Sequence, residues 1–559
     1  MATDASSADD AARSRLNREC WAVAAAASLL STIALIYCAR RHMLLLYGDA
    51  VAHLHIARRI VDSLNPGFHQ LGSVWLPLPH ILLLPFVLRM SWWQSAVPAA
   101  VPSMLCYVAG CVGIYRLARI WLSPGRSAVA LAFYALNPGL LYMQTTAMTE
   151  PLFLAEMIWG ALLIAEHGRA LESDNHDRAT LKLIVGGLVF MAAVYTRYDG
   201  WIYAAAAWLL VVLGLLADST WSITRLRDLL RTRLGGAFIL FTVMLAIAPA
   251  VWVAYNARQF GDPLDFMRGP YSAKAIEART AAPGAAHYPG WHSMRVSALY
   301  FLKASEAGAV PVQQGNKLLW LAILGSLYGA VRFCAFRVRG DNGSGTAMRA
   351  ALLLWMPLLF YSCSIAYGSV PIFIPIWWPH SWYNTRYGME MLPAFALGFA
   401  MLVAFIAGVV KMLQPRSGKK VVAAALVLVA ANSALVARQV PLVLREAYAN
   451  SETRIPFEHA LAQALLALPR HSRLLMYTSA HIGALQEAGI ALKGTINEGD
   501  YYQWGPALKD PAHARPVIVA IDGDPVAAAV AAHPGGLRLV HTICSPGQPC
   551  ARIYESTLR

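Results

Sequence analysis

About eleven apolar stretches, each near the length a helix needs to cross a bilayer, govern what this chain can fold into. They run Trp21–Tyr37, Val97–Tyr115, Ser127–Tyr142, Leu152–Ala165, Leu183–Tyr195, Trp201–Ala217, Leu234–Tyr255, Leu318–Val331, Ala350–Tyr367, Met391–Val410 and Val421–Val436. Several are short as bounded, so their helices are expected to extend into the flanking aromatic residues. With 57% hydrophobic and 14% charged residues over 559 positions, the chain is too apolar for a set of soluble domains. It reads as an all-α polytopic membrane domain.

The net charge of +15 would suggest a nucleic-acid partner, but the distribution of Lys and Arg excludes it, because these residues cluster between apolar runs as cytoplasmic loops require. The segment Trp75 to Leu88 decides the topology. It is short and carries Pro77, Pro79 and Pro85, which suits an interfacial or re-entrant helix. Left out of the spans, it puts Arg13, Arg15 and Arg18 on one side with Arg116, Arg119 and Arg126. Arg225, Arg227, Arg231 and Arg233, then Arg332, Arg337, Arg339 and Arg349, then Lys411, Arg416, Lys419 and Lys420 follow on that side, the cytoplasm. Arg40, Arg41, Arg58 and Arg59 in the first outer loop are the exceptions, and a phosphate ligand would explain them.

Ile36-Tyr37-Cys38-Ala39-Arg40 lacks the small residues of a cleavage site, so the first span is read as uncleaved. The expected organisation is a cytoplasmic tail at 1–20, a transmembrane domain with outer catalytic loops at 21–437, and an extracytoplasmic domain at 438–559, in a multi-pass protein of the plasma (inner) membrane. In that last domain, Arg473–Thr478 and Pro516–Ile521 read as buried strands, Ala480–Ala488 as a helix, and Asp522-Gly523-Asp524-Pro525 as a turn, making a small α/β domain. Cys544 and Cys550 stand close enough to form a disulfide outside the cytoplasm.

No phosphate-cradling glycine loop follows a strand; Gly343-Ser344-Gly345-Thr346 sits in a short cytoplasmic loop without that context. This weighs against ATP and soluble nucleotide sugars and leaves lipid-linked substrates. Charged residues beside a bilayer are costly unless solvated, paired or useful, and four outer segments carry them. In Tyr47 to Arg59, Asp49 and His53 share one helical face, while His55, Arg58, Arg59 and Asp62 share another. Glu150 follows Thr145-Thr146-Ala147-Met148-Thr149 and precedes Pro151, where Thr146 or Thr149 could cap the next helix. Arg197 and Asp199 lie in Thr196 to Trp201, and Trp382, Tyr383, Arg386 and Tyr387 lie in Trp377 to Gly388. Each cluster also has a purely structural reading: paired interfacial charges, a helix cap, an aromatic belt.

The order of these motifs carries a resemblance. A Gly-Asp in the first outer loop, Trp-Leu-Pro-Leu-Pro-His at 75–80, Thr-Thr-Ala-Met-Thr-Glu-Pro at 145–151, and Asn-Thr-Arg-Tyr from 384 with Pro393 resemble the GT-C glycosyltransferase superfamily, including protein O-mannosyltransferases, aminoarabinose transferases and oligosaccharyltransferases. The resemblance covers about residues 20 to 440. It implies a membrane enzyme with a polyprenyl-phosphate sugar donor and a lipid, glycan or protein acceptor. By the same resemblance Asp49 is the base or a metal ligand, Glu150 the second acidic residue, and Arg386-Tyr387 the pair near the donor phosphate. Relatives with a metal site carry a further acid two residues before the second one; here that residue is Met148, so Mg²⁺ or Mn²⁺ at Asp49 and Glu150 is an alternative and not a requirement. Beside these, His53 is expected to orient Asp49 or the acceptor, and Arg58 or Arg59 to share the phosphate. Trp75, His80, Arg197, Asp199, Trp382 and Tyr383 are candidates to line the substrate. The same intramembrane charges would also serve a lipid or sugar transporter, and a non-catalytic scaffold would not need Asp49 or Glu150 at all.

Overall fold

The computed structural model describes residues 2–217, 231–280, 284, 286–311, 315–338, 349–415, 417–469 and 473–558. Arg225, Arg227, Arg339, Arg416 and residues 343–346 lie outside the described residues. Among the described residues, 7 helical stretches are long and apolar enough to cross a membrane: Ala11–Arg40, Pro98–Arg119, His176–Thr196, Arg233–Phe260, Arg349–Tyr367, Thr385–Leu413 and Gly418–Ser451. Shorter apolar helices occupy Pro77–Val87, Asp199–Leu215 and Lys317–Gly329, and the stretch expected at Leu152–Ala165 lies within the helix Glu150–Glu172.

The stretch Ser127–Tyr142 is not one helix. It divides into Pro124–Ala135 and Pro138–Met143, because Pro138 has no N–H to continue the first helix. Asn137 starts the second, its side-chain oxygen accepting the Leu140 N–H at 2.9 Å. The segment Pro77–Val87 is helical, but at about 1.5 Å per residue it is roughly half the 30 Å hydrocarbon thickness.

The chain forms two compact units. One comprises Met1–Ala34, Ser103–Gln144 and Thr149–Arg445; the other comprises Leu35–Pro102, Thr145–Met148 and Glu446–Arg559. The first is the helical bundle. Its helices Gly315–Val338 and Leu392–Leu413 meet backbone to backbone: a Cβ at Gly325 would land on the Gly398 carbonyl, and one at Gly398 would stand 2.6 Å from the Ala322 oxygen. Small residues let membrane helices approach this closely, and van der Waals contact then replaces the hydrophobic drive that lipid removes.

The second unit joins the first outer loop to the C-terminal domain. The loop contributes the helix Gly48–Arg59, a 3₁₀ turn at Phe68–Leu71 and the helix Pro77–Leu83. The domain contributes a five-stranded sheet of β1 (Leu474–Met476), β2 (Thr495–Ile496), β3 (Val517–Ile521), β4 (Leu537–Ile543) and β5 (Ala551–Ser556), in the order β2-β1-β3-β5-β4. β2, β1 and β3 run parallel, and β5 is antiparallel to both β3 and β4. β1 and β3 are buried along their whole length, which is why both read in sequence as unbroken apolar runs and not as alternating ones. The helix Ile482–Ala488 lies where a helix was expected, and the Asp522–Pro525 turn leads into a further helix, Pro525–Ala532, capped by Asp524. Cys544 and Cys550 are joined as a disulfide.

Candidate active site

The bundle unit gathers its chemistry around Arg197. Its Nη1 donates to the Thr149 hydroxyl at 2.9 Å and lies 3.5 Å from Glu150 Oε1, its Nε donates to Asp199 at 3.2 Å, and its Nη2 reaches the Tyr361 hydroxyl at 2.7 Å and Glu390 at 3.2 Å. Glu150 is 1% exposed and also accepts from Nε of Arg386 at 3.1 Å. The Tyr361 hydroxyl lies 2.8 Å from Glu390 and 3.0 Å from Asp199. Tyr387 is a shared floor, with the two guanidinium carbons 5.0 Å (Arg197) and 4.9 Å (Arg386) from its ring centre. Thr149 therefore does not cap the helix it precedes; its hydroxyl serves Arg197.

Local sequence sets this geometry. Pro151 occupies the first turn of the helix Glu150–Glu172, where a missing N–H costs nothing and an acidic residue is favoured by the helix dipole. Asp199 likewise opens the helix Asp199–Ala217. Arg386 lies on the 3₁₀ turn Thr385–Met391, entered through Asn384 at φ 55°, a left-handed conformation that asparagine tolerates better than most residues. Gly388 lets that turn press on the helix Met294–Ala309, since a Cβ there would stand 2.5 Å from the Ser305 nitrogen. Upstream, Tyr383 pairs with Phe373 through an antiparallel bridge and is 43% exposed, beside a half-buried Trp382.

Three carboxylates (Glu150, Asp199, Glu390) thus meet two guanidiniums (Arg197, Arg386) in a buried setting, and one oxygen each of Glu150 and Glu390 has no hydrogen-bond partner among the described residues. Glu390 and Tyr361 were not singled out from the sequence. The available signal was a lone carboxylate at the head of an apolar span, four residues beyond Arg386, which is costly enough to demand a role.

The loop unit holds the other candidates. Asp49 stands half-buried in the first turn of Gly48–Arg59, where the helix dipole favours its charge. His53 does meet His80, Nδ1 to Nε2 at 2.9 Å, and its ring stacks on Trp75 at 4.4 Å, so Trp75, His80 and His53 come together. Arg58 is 7% exposed and spends all three of its nitrogens: Nε and Nη2 on Asp62 at 2.8 and 2.7 Å, Nη1 on the Val87 and Leu88 carbonyls at 2.6 and 2.7 Å. Arg59 is half-buried and donates to the Gln70 carbonyl. Burial, with Arg59 nearby, holds the His55 imidazole well below its usual range, and neither of its nitrogens has a partner among the described residues.

Among the described residues no group of three or more His, Cys, Asp or Glu converges as a metal site. Glu150 is already taken by two cations, which disfavours a further one there.

At the start of the helix Arg454–Leu466, Arg454 donates to Glu458 at 2.6 Å. Burial outweighs that pairing and pushes the Glu458 carboxyl up to about 7, while burial and Arg454 push His481 down to about 4. The folded protein therefore keeps the Glu458 proton to a higher pH than the unfolded chain, from an ordinary value of 4.5. The resulting stabilisation is complete below that value and is lost as pH rises through 7, a change on the order of 3 kcal/mol. Glu458→Gln removes it, so the variant should gain thermal stability relative to wild type between pH 5 and pH 8. Equal differences in unfolding midpoint at both pH values would contradict this account of Glu458.

The fold of the described helices and sheet is similar to that of solved membrane proteins. It is the fold of ArnT from Cupriavidus metallidurans bound to undecaprenyl phosphate, with a TM-score of 0.51 at 12% identity over 95% of this chain and 97% of that one. The apo form of the same protein gives 0.50 at 13% identity over 93% and 97%. An archaeal oligosaccharyltransferase, AglB from Archaeoglobus fulgidus in complex with an inhibitory peptide and a dolichol-phosphate, gives 0.47 at 11% identity over 90% and 69%. No protein-family model and no curated protein matches the sequence.

Proposed function

We propose that this chain is a membrane glycosyltransferase that takes a sugar from a polyprenyl-phosphate donor, at the outer face of the inner membrane, and passes it to a hydroxyl of a lipid, glycan or protein acceptor. The observation that carries the reading is the buried Glu150–Arg386–Arg197–Tyr387 cluster in a fold whose solved examples include one bound to undecaprenyl phosphate. In the reaction, Asp49 accepts the proton of the incoming hydroxyl as its oxygen bonds to the anomeric carbon, and the bond from that carbon to the phosphate oxygen breaks. Arg386 takes up the charge that develops on the departing lipid phosphate. Glu150 fixes the plane of Arg386 through Nε, and Tyr387 supports its face. Because Arg58 is committed to Asp62 and two carbonyls, Arg59 is the better second cation for the phosphate. Trp75, half-buried and stacked on His53 at 4.4 Å, is the part of this group offered to the sugar or acceptor, with the buried His53 and His80 behind it.

The decisive assay is transfer from a purified polyprenyl-phosphate sugar by the full protein in nanodiscs. Turnover should depend on the lipid phosphate; no transfer from any lipid-linked sugar, with lipid or sugar movement across vesicles instead, would establish the transporter. Topology is tested separately. The basic loops segregate only if Trp75–Leu88 does not cross, so the N-terminus should be cytoplasmic and the C-terminus outside. A C-terminal reporter that is active only in the cytoplasm would overturn this.

A further inference from the structure

The entrance and exit of the Asp49 helix are held by residues some four hundred positions away. At the entrance, the Gly48 N–H, one of the helix's orphan donors, is accepted by Asn450 Oδ1 at 2.9 Å. Just before it, the Leu45 and Leu46 carbonyls both accept from Nη2 of Arg454, at 2.7 and 3.1 Å. Arg454 is 9% exposed and is itself fixed by Glu458. At the exit, Asp62 accepts the backbone N–H groups of Leu492 and Lys493 at 3.3 and 3.2 Å. Further along the loop, Asn65 donates to Gln503 at 2.8 Å and Gln70 to the Gly499 carbonyl at 3.2 Å.

From this clamp we infer that the C-terminal domain positions the catalytic loop, with Arg454 and Asn450 setting where the Asp49 carboxylate stands. This rests on Asp49 acting as proposed above. Neither residue touches substrate in this scheme; both are positioning residues that act through the helix. The chemistry of the clamp suits that task. One guanidinium that holds Glu458 through Nη1 and two successive carbonyls through Nη2 fixes these groups in one plane, which a flexible ammonium does not do. Small displacements of a reacting group are expensive, a shift of about 1 Å costing on the order of a hundredfold in rate.

The test is a double-mutant cycle in the full-length protein, read as transfer from a polyprenyl-phosphate sugar. Arg454→Lys keeps the charge beside Glu458 and gives up the fork. It should lower kcat by roughly tenfold while leaving the donor KM within about twofold. In the Asp49→Asn background the same change should cost less than about twofold, because a misplaced amide has no proton transfer to lose. Asn450→Ala, an exposed truncation, should show the same dependence with a smaller effect, and Asn450→Asp, which still accepts from Gly48, should restore turnover. An equal loss in both backgrounds would mean that Arg454 acts through general stability, and no loss in the wild-type background would mean the clamp is irrelevant to chemistry; either overturns the inference while leaving Asp49 as base. Full turnover by Asp49→Asn alone would instead remove the base, and the inference with it.

Discussion

Replacing Asp49 with Asn should lower glycosyl transfer at saturating donor by at least about a hundredfold, the range expected when a general base is lost. The substitution keeps shape, exchanges one acceptor oxygen for an amide donor, and removes the charge that accepts a proton. Asp49 is half-buried in a helical first turn, where the loss of the dipole interaction costs about 0.3–1 kcal/mol. The loss should therefore appear in kcat, with donor binding little changed. The measurement is single-turnover transfer by folded protein with donor binding followed in parallel. Wild-type turnover would remove Asp49 from the mechanism and turn attention to Glu150.

Arg386→Lys should weaken use of the donor by roughly tenfold to a hundredfold. The charge is retained, but the planar fork is not, and an ammonium cannot serve Glu150 and a phosphate in one plane as a guanidinium does. Burial enlarges the effect: Glu150 is 1% exposed, so any loosening of its pairing leaves a desolvated carboxylate poorly compensated. The effect should fall on donor KM and kcat/KM more than on acceptor KM. If lysine supports normal donor use, Arg386 is an interfacial anchor and the phosphate is held elsewhere. Because Arg197 already serves Thr149, Glu150, Asp199, Tyr361 and Glu390, it should not substitute for Arg386.

Much of this was legible in the sequence. The apolar runs became helices, the two apolar segments of the C-terminal domain became buried parallel strands, and Cys544 and Cys550 were joined. Those features follow from local pattern: period, length, residue type and spacing. What escaped was of two kinds. The break at Asn137-Pro138 was written in the sequence, yet apolar residues on both sides masked a local signal that a capping residue followed by proline should have raised. The partners of Arg197 and the union of residues 35–102 with 446–559 were not legible at all. Nothing local in Tyr361, Glu390, Asn450 or Arg454 says what each will meet, because those meetings depend on how distant segments are brought together. The candidate residues were thus identifiable one by one, while the division of labour among them, such as the commitment of Arg58 to Asp62 and Val87, was not.

The interleaving of the loop unit also imposes an order of events during synthesis. Residues 35–102 are made early, but the groups that hold them in place, from Asn450 onward, are translated only after the whole intervening bundle. At ribosomal speeds of about 5–20 residues per second that delay is tens of seconds. During it, the Gly48 amide and the Leu45 and Leu46 carbonyls await partners that do not yet exist, and Asp62 has only Arg58. A nascent or truncated chain that lacks Asn450 and Arg454 would hold the Gly48–Arg59 segment without the contacts that fix it. The first loop is therefore held only once Asn450, Arg454 and Leu492 have been made, long after the loop itself.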